Sequence, residues 1–358
     1  MRTEEFDYNV ESRIVPDDPV ELRGKSREDG KMVVLDRSTD KITHTVFSTI
    51  CQYFRPGDLL VLNDSYVLAN VLWFKHGDET THVGLCGHEP DGTTIVDVFG
   101  WPLAAPALTL TSKNNDRLTC TLLEALPDQL WRARLEPFDL VTPTLVEFGQ
   151  RVDDIADPNL TLWRSAPLAY RSVYANTPGS FNIPSAGLHF SEALLAEAVA
   201  KGVEVAHITL HVGATETFAV RYITEKEVEN HKVRSEYFQV GDKAAAQINR
   251  AVSGGRRVVA VGTTVMRTLE TLAAKLEPKA RPKAPIQAQS GWTDLYIYPG
   301  FKFKLVDVLL TNLHQPRSSH IVLTAAFAGK ELVMRSYAEI LEGGGYEFDM
   351  FGDSMLIV

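Results

Sequence analysis

The second half of the chain switches between two hydrophobic periods. "VEVAHITLHVG" and "RRVVAVG" are compact apolar runs, the signature of strands buried on both faces. Helices are predicted around them. Ser191 suits the N-cap of a helix through Lys201, with Gly202 at its C′ position. A second helix is predicted near Asp242–Val252, and a third over "TTVMRTLETLAAKL", capped by Thr263 or Thr264. "TDLYIYPG" and "KFKLVDVLL" read as strands. Two helices follow across Ser319–Leu341, and "GDSMLIV" closes the chain as a strand. Near the N-terminus, "KMVVLDR" and "GDLLVLND" are short β-like runs, and "ITHTVFSTICQYFRPGD" between them is read as holding a helix that ends near Pro56.

From about Asn70 to Pro158 the texture changes. "VLWFKHG", "TTIVDVFG", "LTLTSKNNDRLTCTLL" and "LWRARLEP" are short β-rich runs separated by turns, a spacing that predicts a small barrel or sandwich. The expectation is an α/β domain over 1–69 and 159–358, interrupted by an all-β insertion over 70–158.

Composition narrows the class. The chain has 358 residues, 44% hydrophobic and 23% charged, ordinary for a globular protein that needs no disulfides to hold its core. Three widely spaced cysteines (Cys51, Cys86, Cys120) fit a reducing compartment and form no zinc pattern. The N-terminus lacks the apolar segment of a signal peptide, and no apolar run is long enough to span a bilayer. A cytoplasmic protein with no membrane partner is expected. The net charge of −10 argues against indiscriminate nucleic-acid binding but leaves room for a local patch. "KLEPKARPKAP" (Lys275–Pro285) is such a patch, and is read as a solvated loop.

Candidate chemistry collects where predicted strands end, the place at which αβ folds hold ligands. Asn63 and Asp64 end "VLND". His211 and Gly213 end "TLHVG". Gly262, Thr263 and Thr264 follow "VAV", with Arg267 one turn into the helix, and Asn312, His314 and Arg317 follow "LLT". A glycine before two hydroxyls at a helix N-terminus offers unpaired N–H donors to an anion or a ribose. His207 and His211 are four apart, but on a strand that separation is roughly 13 Å, too far to share one zinc. No metal is expected. Walker A, GxSxG, GxGxxG and CxxC motifs are absent. Spacing alone stops at an αβ enzyme with a β insertion that binds a polar small molecule.

"PGSFNIPSAGLHFS", "TLHVG", "VAVGTTVMRTLE", "GWTDLYIYPGFKFKLVDVLLTNLHQPRSS", "AFAGKE" and "FGDSMLI" resemble the successive motifs of the S-adenosylmethionine:tRNA ribosyltransferase-isomerases of queuosine biosynthesis. "FDY", "LDR", "PGDLLVLND" and "YRSVYA" match the N-terminal half in the same order. The resemblance implies a barrel-like αβ domain with an inserted β-barrel. It implies transfer and isomerisation of the ribosyl group of S-adenosylmethionine, a co-substrate, onto 7-aminomethyl-7-deazaguanine in the anticodon loop of tRNA. Adenine and methionine leave, and epoxyqueuosine forms. That chemistry needs a general base for the acidified C5′ hydrogens, and a neutral histidine or a carboxylate suits it. His189 and His211 are the first candidates and His314 the next, with Asp294 and Asp353 to orient them or the acceptor. Thr263, Thr264 and Arg267 are expected to hold the ribose hydroxyls or the methionine carboxylate. Asn63, Asp64, Ser185, Gly187, Gly213, Gly262 and Asn312 complete the expected binding set.

The chain departs from the family pattern at several positions. Tyr66, Val71 and Glu347 stand where arginines are typical, Arg234 replaces a histidine, and Glu216 enters where a glycine is lost. Fewer arginines weaken contact with tRNA phosphates. Two other readings follow: a paralogue using the same donor on a small-molecule acceptor, and a non-catalytic RNA-binding paralogue. The retained "AGLHF", "LHVG" and "GTT" argue against the second.

Overall fold

The computed structural model describes residues 1–99, 105–152, 166–214, 222–274 and 285–358. Glu216 and the basic segment from Lys275 to Ala284 lie outside the described residues.

In chain order the elements are β1 (Lys31–Asp36), β2 (Lys41–Val46), β3 (Leu59–Asn63) and β4 (Ser65–Val67). Then come β5 (Val71–His76), β6 (Glu79–His88), β7 (Thr94–Phe99), β8 (Thr109–Ser112), β9 (Thr119–Ala125), β10 (Leu130–Glu136) and α1 (Val141–Phe148). The chain continues through β11 (Thr177–Ser180), α2 (Glu192–Ala200), β12 (Glu204–Leu210), β13 (Glu236–Val240) and α3 (Asp242–Ser253). It closes with β14 (Val258–Val261), α4 (Thr263–Ala274), β15 (Gln289–Thr293), β16 (Val308–Asn312), α5 (Ser319–Ala328), α6 (Lys330–Gly343) and β17 (Ser354–Ile357).

A nine-stranded mixed sheet runs in the order β15-β13-β12-β3-β14-β16-β17-β1-β2. Its centre, β12-β3-β14-β16, is parallel. Parallel strands need both faces covered, and the sequence complies. Leu59 and Val61 of β3 join a core with Ile248 of α3 and Leu269 of α4, while Leu60 and Leu62 point the other way, toward Phe190 and Leu194. Ser191 caps α2 by accepting the Leu194 N–H at 3.0 Å, and Gly202 beyond its end has φ +89°.

β5 to β10 close into a six-stranded barrel with its own core, and Val141 and Leu145 of α1 pack onto it. Leu72 and Phe74 point inward, whereas Trp73 and Lys75 point outward. The barrel is tied to the sheet by a backbone bond from the Ala214 N–H to the Cys86 carbonyl at 2.7 Å.

Three sequence expectations change. The helix expected before Pro56 is the strand β2 followed by a 3-10 helix, Phe47–Tyr53. The strand expected at "TDLYIYPG" lies just before it, at Gln289–Thr293, and Leu295 and Ile297 pack on the core from non-strand chain. "KFKLVDVLL" becomes a strand only from Val308. The N–H groups of Lys304, Leu305 and Val306 are taken by the buried Glu270 carboxylate at 2.9, 3.0 and 3.1 Å, leaving none for a neighbouring strand.

Candidate active site

Because β12, β14 and β16 run parallel, the residues after them meet along one edge of the sheet. Gly213, Gly262 and Asn312 there line a cavity of about 150 Å³. Ser185, Thr263, Thr264, Arg267 and His314 line it too.

One wall is the turn into α4. Gly262 has φ +91°, a conformation natural to glycine, and donates its N–H to the Leu310 carbonyl at 2.7 Å. Thr263 and Thr264 open the helix, so the positive end of its dipole and two hydroxyls border the cavity. A second wall is built on Arg267. It was expected as an open clamp for a carboxylate, but it is already ion-paired with Glu236 and donates to the carbonyls of Leu295 (3.0 Å) and Thr293 (3.2 Å). The other Glu236 oxygen accepts the Gly213 N–H at 3.2 Å.

A third wall comes from the segment after β16. The Asn312 amide donates to the carbonyls of Asp349 and Met350 at 3.0 and 3.2 Å, drawing the 349–350 turn to the cavity. His314 Nε2 lies 2.8 Å from the Thr311 hydroxyl, its backbone N–H donates to the Tyr337 hydroxyl at 2.8 Å, and its ring sits 5.1 Å from that of His320.

The fourth wall belongs to the barrel. Cys86, Gly87, His88 and Glu89 at the end of β6, with Ile95 of β7, close the cavity opposite the sheet. The Glu89 carboxylate accepts from Arg234 at 3.3 Å across the junction.

The other candidates fall elsewhere. His189 and Asp353 line a second cavity of about 120 Å³ beside β1, which meets the first at Met350. The His189 ring stacks on Phe47 (5.0 Å between centroids), its Nε2 has no partner among the described residues, and burial lowers its pKa to about 4. Burial raises the pKa of Asp353 to about 6, although the carboxylate accepts the N–H groups of Lys31 (2.6 Å) and Glu347 (2.8 Å). His211 lines neither cavity. It stacks on Tyr237 and lies so close to Gly179 that a Cβ there would sit 2.7 Å from its ring; burial lowers its pKa. Asp294 is exposed and outside both cavities.

Asn63, Asp64 and Gly187 also lie outside both linings. Asn63 zips β3 to the end of β12, donating to the Leu210 carbonyl (3.0 Å) and accepting its N–H (2.9 Å). Asp64 accepts from the Thr209 and Thr177 hydroxyls at 2.6 and 3.2 Å. Gly187 makes room for Tyr174, whose hydroxyl would lie 2.0 Å from a Cβ.

The sequence reading passed over His88, Glu89 and Tyr296 as cavity residues. "GHEPDG" is a polar strand end of the same kind as the α/β candidates, set in the inserted barrel rather than in the sheet. Among the described residues no group of three or more His, Cys, Asp or Glu side chains could hold a metal ion, and no helix is long and apolar enough to cross a membrane.

A mixed sheet with a parallel centre and a cavity at the carboxyl ends of those strands, closed by an inserted barrel, defines a two-part αβ enzyme. The sequence profile described as "Queuosine biosynthesis protein" matches residues 3–357, and the chain belongs to that family. It is 40% identical over 368 residues to the S-adenosylmethionine:tRNA ribosyltransferase-isomerase of Chlorobaculum parvum and 34% identical over 366 residues to that of Staphylococcus epidermidis, covering 100% of both chains in each pair. The crystal structure of the S-adenosylmethionine tRNA ribosyltransferase from Thermotoga maritima is similar, with 31% identity and a TM-score of 0.54 over 99% of this chain and 100% of that one.

Proposed function

We propose that this chain transfers and isomerises the ribosyl group of S-adenosylmethionine onto the aminomethyl group of 7-aminomethyl-7-deazaguanine in the anticodon loop of tRNA. Adenine and methionine leave and epoxyqueuosine is formed. The observation that carries the reading is the cavity itself. Two hydroxyls and a helix N-terminus border it on the sheet side, a histidine borders it after β16, and the full-length relatives carry this activity in their names.

The groups present suit the chemistry. The dipole of α4 with Thr263 and Thr264 favours the methionine carboxylate or ribose hydroxyls of the donor. Arg267, neutralised by Glu236, adds structure more than charge. Of the three histidines considered for proton transfer, His314 lines this cavity, and it takes the role of base at C5′. A pKa near 4 makes His189 a weak base at neutral pH. His189 and Asp353 are assigned to supporting the adjoining loop.

Two of the three positions with a missing arginine keep a cation close by. The Arg171 guanidinium lies 3.8 Å over the Tyr66 ring, and Glu347 is paired with Arg23 at 2.7 Å. The Arg171 guanidinium favours tRNA over a small-molecule acceptor, whereas Arg23, neutralised by Glu347, favours neither.

The test is turnover with S-adenosylmethionine and an anticodon stem-loop carrying 7-aminomethyl-7-deazaguanine. Adenine released in step with RNA-borne epoxyqueuosine is the expected result. Folded protein that binds the donor but leaves the RNA unmodified would overturn the reading.

A further inference from the structure

We infer that the barrel wall of the cavity reads the guanine edge of the acceptor base, with the Glu89 carboxylate taking its ring N–H and 2-amino group and His88 Nε2–H donating to its exocyclic oxygen. The inference rests on the proposed function and assigns one half of the cavity to the acceptor.

The geometry of His88 supports a fixed hydrogen-bonding tip. Its Nδ1 is 2.8 Å from the Thr94 hydroxyl. Its ring is wedged edge-on between Phe138 and Phe181, at 4.9 and 5.3 Å between centroids. With the Thr94 hydroxyl donating to Nδ1, the ring proton sits on Nε2, the tautomer the inference requires. Burial, and then the neighbouring His211, lowers the pKa of His88 to about 4, so the ring stays neutral at physiological pH and offers one N–H and one acceptor nitrogen.

Glu89 lies next to His88 in the lining. Arg234 bonds its Oε1, and Oε2 has no partner among the described residues. A carboxylate only accepts hydrogen bonds. A guanine-type edge presents two adjacent donors followed by an acceptor, matching a carboxylate followed by an N–H. Adenine presents one donor and one acceptor on its pairing edge and leaves half a carboxylate unanswered. The donor groups of S-adenosylmethionine are met at the opposite wall by Thr263 and Thr264, so the two substrates approach from opposite sides. Cys86 and Ile95, both buried, give this wall an apolar backing.

The experiment pairs two stem-loops, one with 7-aminomethyl-7-deazaguanine and one with the matching deazahypoxanthine, which lacks the 2-amino group. Wild type should show kcat/KM lower by about 10- to 100-fold on the second, the range for losing a hydrogen bond to a charged group. Glu89→Gln and Glu89→Ala should raise KM for the RNA, leave KM for S-adenosylmethionine unchanged and shrink the discrimination at least fivefold. His88→Asn should raise the RNA KM without changing that ratio. Thermal midpoints identify any variant that fails to fold, and the conservative Glu89→Gln keeps the test standing. Equal turnover of both RNAs by wild type would overturn the inference, as would variants that raise the donor KM instead. Calorimetry with the two free bases separates this inference from the function. Preference for the guanine-type base without turnover would sink the function and keep the inference.

Discussion

The guanidinium of Arg267 and the carboxylate of Glu236 are ion-paired in the wall of the cavity, with side-chain exposures of only 14% and 11%. The pair joins the first turns of α4 to the start of β13, and Glu236 passes the constraint on to the Gly213 N–H. Removing one partner strands the other charge. Glu236→Gln is expected to cost about 3–5 kcal/mol of stability, read as a lower urea midpoint at unchanged slope. Arg267→Lys should not restore wild-type stability, because a single ammonium cannot serve Glu236 and two carbonyls in the same plane.

The turn before α4 has little freedom. At φ +91° a side chain on residue 262 is strained, and its Cβ would sit 3.4 Å from the Thr264 hydroxyl and 3.5 Å from the Ala186 methyl. Gly262→Ala should destabilise by about 1–3 kcal/mol and raise KM for S-adenosylmethionine several-fold. Thermal denaturation and initial rates at varied donor concentration check both effects.

Thr264→Val keeps the shape of its side chain and deletes the hydroxyl. KM for S-adenosylmethionine should rise about tenfold, the weight of one hydrogen bond. The thermal midpoint should not move, since the hydroxyl has no hydrogen-bond partner among the described residues. An unchanged donor KM would remove Thr264 from the binding wall.

Acid stability has a definite sign. His189 has its pKa lowered from 6.5 to about 4 by burial. Between those values the unfolded chain binds the proton and the folded chain does not, so stability falls as pH drops from 6.5 to 4. The loss is roughly 3 kcal/mol. Asp353 acts oppositely: raised from 3.8 to about 6, it stabilises most below pH 3.8 and loses that contribution as pH rises through 6. Urea denaturation from pH 4 to 7 should show a shallower acid limb in His189→Gln and a steeper one in Asp353→Asn.

Much of the αβ frame was legible because its signals are local. The Ser191 cap, Gly202 and the apolar run before His211 fix α2 and β12 within a residue or two. Features that depend on partners distant in sequence were not. β6 went unread because Gly84 and Gly87 interrupt its alternation, and what makes it a strand is pairing with β5 and β7. The strand boundary at Val308 depends on Glu270, more than thirty residues earlier. The site divided similarly. Strand-end polar residues found Gly213, Gly262, Thr263, Thr264, Asn312 and His314, all of which line the cavity. The same rule also selected Asn63 and Asp64, whose side chains secure neighbouring strands instead. Sequence cannot tell a side chain that serves a ligand from one that serves the backbone beside it.

The Ala214–Cys86 backbone bond marks the seam between sheet and barrel, and the cavity lies along that seam. Each side of the seam is stabilised by a separate core. Mutations in β6 and β7 can therefore retune what enters from the barrel side while the wall at the N-terminus of α4 keeps its architecture. On the proposed division of the cavity, such a molecule has an interchangeable faceplate: new acceptors can be explored without rebuilding the wall assigned to the donor.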